Sequence, residues 1–154
     1  MAKQYKLDFT DRWVDELLQW ADLHKIPELQ YFEEELDDDG EVWCKGYWTG
    51  LPRDKETLLN LEELNISASN CNDIPDQIRN LTKLKVLRFT DGSTHHTPFH
   101  HLPSNHTSKR SLMEEIPDWI VELENLEVLD LSDNSIMWVP GIIGKFKNLK
   151  ELYL

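Results

Sequence analysis

The stretch Leu126-Glu127-Val128-Leu129-Asp130-Leu131-Ser132-Asp133-Asn134-Ser135-Ile136 decides how this chain folds. Leucines stand at relative positions 1, 4 and 6. The first step has a turn spacing and the second a strand spacing, so positions 3 to 7 predict a short strand with positions 4 and 6 inward. The pattern returns at Leu61, Leu64 and Ile66, at Leu84, Leu87 and Phe89, and at Leu149, Leu152 and Leu154. Leu61 to Leu84 is a step of 23 residues, and so is Leu126 to Leu149. Leu84 to Leu126 is 42, one period plus an insertion of 19. A second pattern runs in register with the first. Ile74-Pro75 with Ile78 and Leu81 matches Ile116-Pro117 with Ile120 and Leu123, and Val139-Pro140 with Ile143 and Phe146. Leu51-Pro52 with Leu58 fits one unit earlier.

One such unit cannot bury its apolar face alone, but stacked units share a core. Successive strands are then parallel neighbours about 4.8 Å apart. Proline fixes its own φ and starts the return path, with the following Ile and Phe or Leu turned inward from a short helical turn. Asn134 is placed to bond neighbouring backbone as the chain leaves the strand. Together these spacings resemble the leucine-rich repeat family, in its short class with an L-P-x-x-I segment, over roughly residues 51–154. Ser69 and Gly92 depart from the family's Asn position. The resemblance implies an α/β fold, a leucine-rich repeat solenoid with a short parallel sheet on its concave face. Residues 1–50 would form an N-terminal helix and an aromatic, acidic cap.

Positions 2, 3, 5, 7 and 8 of each repeat are expected on the concave face. Position 5 forms the column Asn65, Arg88, Asp130, Tyr153, and position 3 the column Glu63, Val86, Val128, Glu151. Thr90 and Ser132 follow at position 7. Val86 and Val128 make an apolar strip flanked by charge, a mixture that suits a protein partner. The residues alone leave a second reading open, in which Arg88 and Asp130 pair laterally and bind nothing. The resemblance favours the binding surface.

In the N-terminal segment, Phe9, Trp13, Leu17, Trp20, Ala21 and His24 recur at helical steps. Thr10 is the expected N-cap and Pro27 follows the end. Trp43, Tyr47 and Trp48 are expected to close the first repeat against water.

The chain has 154 residues, with Asp+Glu 29 against Lys+Arg 16 and a net charge of −13. Phosphates repel such a surface, which argues against nucleic acid or an anionic membrane and for a basic or mixed protein partner. An inhibitor or immunity-type protein masking a basic partner fits that balance. The acidic run Glu33–Glu41 is expected to be a solvated loop, or a docking patch for basic groups. Neither a leader nor a spanning segment is apparent, and two Cys make no disulfide framework, so a cytoplasmic setting is expected. Cys71 falls at an inward position and reads as core. No nucleophile motif or phosphate loop occurs, so no enzyme and no cofactor are expected.

The insertion, at about residues 92–110, holds His95, His96, His100, His101 and His106. Their spacing matches no metal signature, and the Pro and Ser/Thr content reads as a loop able to meet a partner. The alternative function is metal or pH sensing through these imidazoles. The last strand stops mid-repeat at Leu154, so that either the natural chain continues or something covers the unpaired edge, self-association through it being one solution.

Overall fold

A computed structural model describes residues 11–33, 35–36, 38–44, 46–67, 71–90 and 113–154. The first element, α1 (Arg12–Leu23), forms because Val14, Leu17 and Ala21 recur on one face, which is buried. Asp11, not Thr10, holds the N-cap position, and Thr10 itself lies outside the described residues. Asp11 makes no capping bond; its carboxylate pairs with Lys55 instead. The helix ends in a Schellman-type closure. Lys25 takes a left-handed φ of 57°, and the Ile26 N–H donates to the Ala21 carbonyl at 2.8 Å. Ile26 is thereby delivered to the core.

Two small antiparallel pairs follow. Strand β1 (Gln30–Phe32) pairs with β4 (Tyr47–Thr49), and β2 (Glu35–Leu36) with β3 (Val42–Cys44). Helix α2 (Lys55–Leu59) starts where the Asp54 carboxylate accepts from the Thr57 N–H at 2.8 Å. This segment is therefore more regular than the spacing of Trp43, Tyr47 and Trp48 suggests. Trp48 does not close a core: it is 53 % exposed and tilts against Tyr31, its cross-strand partner, at 5.3 Å between ring centroids.

The repeats supply one parallel sheet, ordered β5 (Glu63–Ser67), β6 (Val86–Thr90), β7 (Val128–Asp130) and β8 (Glu151–Tyr153). Its register reproduces the sequence period, with Leu64 opposite Leu87, Leu87 opposite Leu129 and Leu129 opposite Leu152. Three 3-10 turns return the chain: Asp76–Asn80, Asp118–Glu122 and Gly141–Lys145. Each begins directly after a proline with φ near −67°, the value the ring imposes. Ile78 and Ile120 point inward from the first two turns and are fully buried.

A single apolar cluster runs from Val14 of α1 through Leu51, Leu58 and Leu64 to Leu129 and Leu131. Each fully buried leucine contributes about 1.5–3 kcal/mol relative to exposure. Cys71 is among these residues, as its repeat position predicts. Helix α1 is tied to the repeats by polar contacts as well. The Gln77 amide donates to Glu16 Oε2 at 3.0 Å, and Arg53 donates to the Ile26 carbonyl at 2.7 Å.

Candidate interaction surface on the outer sheet face

Period-2 alternation turns Leu64, Leu87, Leu129 and Leu152 toward the core and leaves the other face of the sheet outward. On that face Glu63 is exposed, Val86 and Val128 are half-buried side by side, and Glu151 and Tyr153 are exposed. Arg88 and Ser132 are half-buried. Three residues expected at the surface are instead buried: Asn65 and Thr90 are 1 % exposed and Asp130 is 7 % exposed.

Asn65 is covered because its side chain is used from both sides. Its Nδ2 donates to the Trp48 carbonyl at 2.7 Å and to Glu63 Oε1 at 3.0 Å, while its Oδ1 accepts from Arg88 at 3.1 Å. These bonds fasten β4 to the sheet edge. Gly50 continues the seam, donating its N–H to the Asn65 carbonyl at 3.0 Å. Its φ is +94°, and a Cβ there would meet the Pro27 and Glu28 carbonyl oxygens at 2.6 Å, so only glycine fits.

The lateral Arg88–Asp130 pair does not form. Arg88 reaches back one strand to Glu63 Oε1 at 2.7 Å. Asp130 Oδ1 accepts instead from the Ser132 N–H at 3.0 Å and the Ser132 hydroxyl at 2.6 Å. A residue's own turn outcompetes a lateral partner here because the Asx geometry costs less side-chain ordering. Tyr153 donates its hydroxyl to Glu151 Oε2 at 2.7 Å. That bond and the carboxylate charge raise the Tyr153 pKa, with Asp130 adding in the same direction.

Charge is ordered along the strand starts. Lys85 pairs with Glu62 at 2.9 Å and Lys150 with Glu127 at 2.8 Å. Lys147 pairs with Glu124 at 2.7 Å one turn earlier. Each partner stands 23 residues from its mate. Hydrogen bonds from Lys147 and Lys150 hold Glu124 and Glu127 below the usual carboxylate range. An oppositely charged residue one period away is the sequence signal that marks these pairs, and it was not among the expected features.

Elsewhere, Glu33, Asp38, Asp39 and Glu41 of the acidic run are exposed. His95, His96, His100, His101 and His106 lie outside the described residues. Among the described residues no three His, Cys, Asp or Glu side chains converge as metal ligands, and no helix is long and apolar enough to cross a membrane. Burial pushes the Cys71 thiol up to about 12, so it is not a nucleophile at neutral pH. Met137 and Trp138 are 84 % and 59 % exposed beside the Gly141–Lys145 turn, and Ile143, Phe146 and Leu152 are only partly covered.

No family model matches the chain. A flightless-1 homolog of Caenorhabditis elegans is 28 % identical over 104 residues, which is 63 % of this chain and 8 % of that protein. A probable serine/threonine-protein kinase, pats1 of Dictyostelium discoideum, is 28 % identical over 107 residues, or 63 % of this chain and 3 % of that protein. The chain thus spans under a tenth of either relative. Among solved structures, an LRR protein of Leptospira interrogans is 30 % identical with a TM-score of 0.39, covering 65 % of this chain and 28 % of that one. The decisive features are the chain's own. A 23-residue unit of inward leucines, a strand and a proline-led turn recurs in register across parallel neighbours, and this is the pattern of leucine-rich repeats, to which the flightless-1 homolog is similar over the same length.

Proposed function

We propose that this chain is a non-catalytic interaction module that holds a protein partner on the outer face of its sheet. In this reading residues 51–154 are a repeat solenoid, that face is its concave side, and residues 1–50 are the cap that closes it. The observation that carries the proposal is the Val86–Val128 strip. Two half-buried apolar side chains lie in register on adjacent strands, while Glu63, Arg88 and Glu151 beside them are held by fixed partners. A partner that covers this strip gains apolar burial without having to order the polar rim. The exposed Tyr31–Trp48 pair extends the surface, since the Trp48 carbonyl is bonded directly to the sheet.

The surplus of acidic groups favours a partner of basic or mixed charge, and an inhibitor or immunity-type role is the narrower form of the proposal. The setting is taken as cytoplasmic. The test is affinity capture with the wild type beside a Val86→Thr/Val128→Thr double variant, which keeps shape and removes apolar character. A partner retained by the wild type and weakened about tenfold or more by the variant supports the proposal. Identical capture by both proteins would overturn it.

Self-association is a second proposal. Met137 and Trp138 stand exposed together between β7 and the Gly141–Lys145 turn. An apolar group of that kind marks a contact surface. Sedimentation over a hundredfold concentration range checks it, and a constant monomer mass rejects it.

A further inference from the structure

The β1–β4 ribbon presents two aromatic rings to the outside. Tyr31 and Trp48 are cross-strand partners, and both are 53 % exposed. Their ring centroids stand 5.3 Å apart with the planes at 58°, an open angle rather than a parallel stack. Such a cross-strand pair steadies a ribbon of short strands, yet half of each residue is left to solvent. Exposed aromatic area gathered in this way marks a contact surface.

The pair is held from behind. The Trp48 carbonyl accepts from Asn65 Nδ2 at 2.7 Å. Thr49, the next residue, is buried and donates its hydroxyl to the Asn65 carbonyl at 3.1 Å. Neither bond uses the indole ring. A ring fixed by its backbone loses little freedom when a ligand covers it.

The charge around the rings selects the ligand. From Glu28 to Glu41 the sequence holds eight acids and no Lys or Arg, and Tyr31 stands among them. Glu28, Glu33, Asp38, Asp39 and Glu41 are exposed. The strand period of two carries Glu33 to the face that Tyr31 occupies. The bases that follow β4 are committed elsewhere, Arg53 to the Ile26 carbonyl and Asp22, and Lys55 to Asp11. Arg88 is held by Glu63 and Asn65. Among the described residues a cation lies over an aromatic ring at Trp119, beneath Arg79, and not at Tyr31 or Trp48. A ring face is the negative pole of the aromatic quadrupole, so neighbouring carboxylates add to its attraction for a cation and repel an anion.

We propose that the Tyr31–Trp48 pair, with Glu33 beside it, seats an arginine side chain of the protein partner, its guanidinium lying on the Trp48 ring. This rests on the chain being a module that binds a protein. Arginine fits better than lysine, because its planar, weakly hydrated head stacks on a ring while its N–H groups remain free for the carboxylate.

Isotope-labelled protein titrated with acetyl-glycyl-arginyl-glycine amide, followed by NMR, tests the seat. The same peptide with citrulline in place of arginine is the uncharged isostere. The arginine peptide is expected to shift the Trp48 indole and Tyr31 ring signals saturably, and to bind about two- to fivefold more tightly than the citrulline peptide. Trp48→Leu keeps apolar bulk and the carbonyl that Asn65 holds, and is expected to abolish that preference. Glu33→Gln, at an exposed position that leaves both rings in place, is expected to weaken the arginine peptide about twofold and leave the citrulline peptide unmoved. Equal binding of the two peptides would overturn the seat, as would an unchanged preference in Trp48→Leu. So would shifts confined to Asp38, Asp39 and Glu41, or no saturable shift at either ring. Each of those outcomes leaves the Val86–Val128 strip to be decided separately by the capture experiment with the valine variants.

Discussion

At the scale of the residue, Asn134 binds three backbone segments at once. Its Nδ2 donates to the Phe89 carbonyl at 2.7 Å and the Leu131 carbonyl at 2.9 Å, and its Oδ1 accepts from the Met113 N–H at 3.4 Å. Phe89 precedes the insertion and Met113 follows it, so one amide fixes both of its ends. Replacing Asn134 with Ala strands buried backbone groups and is expected to cost about 1–3 kcal/mol by urea denaturation. A change under about 0.5 kcal/mol would mean that water replaces the bonds. Cys71 makes a different prediction. Its thiol is raised from an ordinary value near 9 to about 12, so the native state keeps its proton where the unfolded chain has lost it. That contribution to stability is complete below pH 9 and is lost as pH climbs from 9 toward 12. Cys71→Val is expected to flatten the alkaline fall in unfolding free energy, and identical slopes in both proteins would refute the assignment.

At the scale of the element, the repeated strands and turns were legible in the sequence and the short strand pairs before them were not. Leucine spacing states which residues face inward, and the period states which strands lie abreast, because both follow from backbone geometry. The N-terminal helix was visible for the same reason, although its start shifted by one residue to Asp11. The β1–β4 pair escaped notice because three-residue strands give too few alternations to read. On the surface, the columns were right in register, and their exposure differs at Asn65, Thr90 and Asp130. Asn65 and Asp130 are buried by side-chain choices among several near neighbours, and no period encodes such a choice. The strands also differ in how much they carry. Leu87 is fully buried between two neighbouring strands, whereas Leu152 is only partly covered. Leu87→Ala is expected to cost about 2–5 kcal/mol and Leu152→Ala clearly less, read from urea midpoints. Equal losses would show that β8 is packed as tightly as β6.

At the scale of the whole molecule, a net charge of −13 is distributed so that neighbouring coils attract each other sideways. The Glu124 and Glu127 carboxyls titrate below their usual range because Lys147 and Lys150 bond them. A lowered folded-state pKa adds stability above the ordinary value near 4.5, and that stability is lost as pH falls through it. Lys147→Gln/Lys150→Gln is expected to make thermal unfolding less sensitive to pH between about 5 and 3. A melting curve whose acid dependence matches the wild type would show that these exposed pairs add nothing.

Along the strand starts the signs run Glu62, Lys85, Glu127, Lys150, and Lys85 also lowers the Glu127 pKa from the strand before it. The row has a parity. Excising the single coil that carries Lys85 would set Glu62 against Glu127, anion facing anion, while excising the pair that carries Lys85 and Glu127 would return Glu62 to a lysine. Shortened versions of this protein should therefore tolerate losses of two coils better than losses of one, a rule of arithmetic written in surface charge.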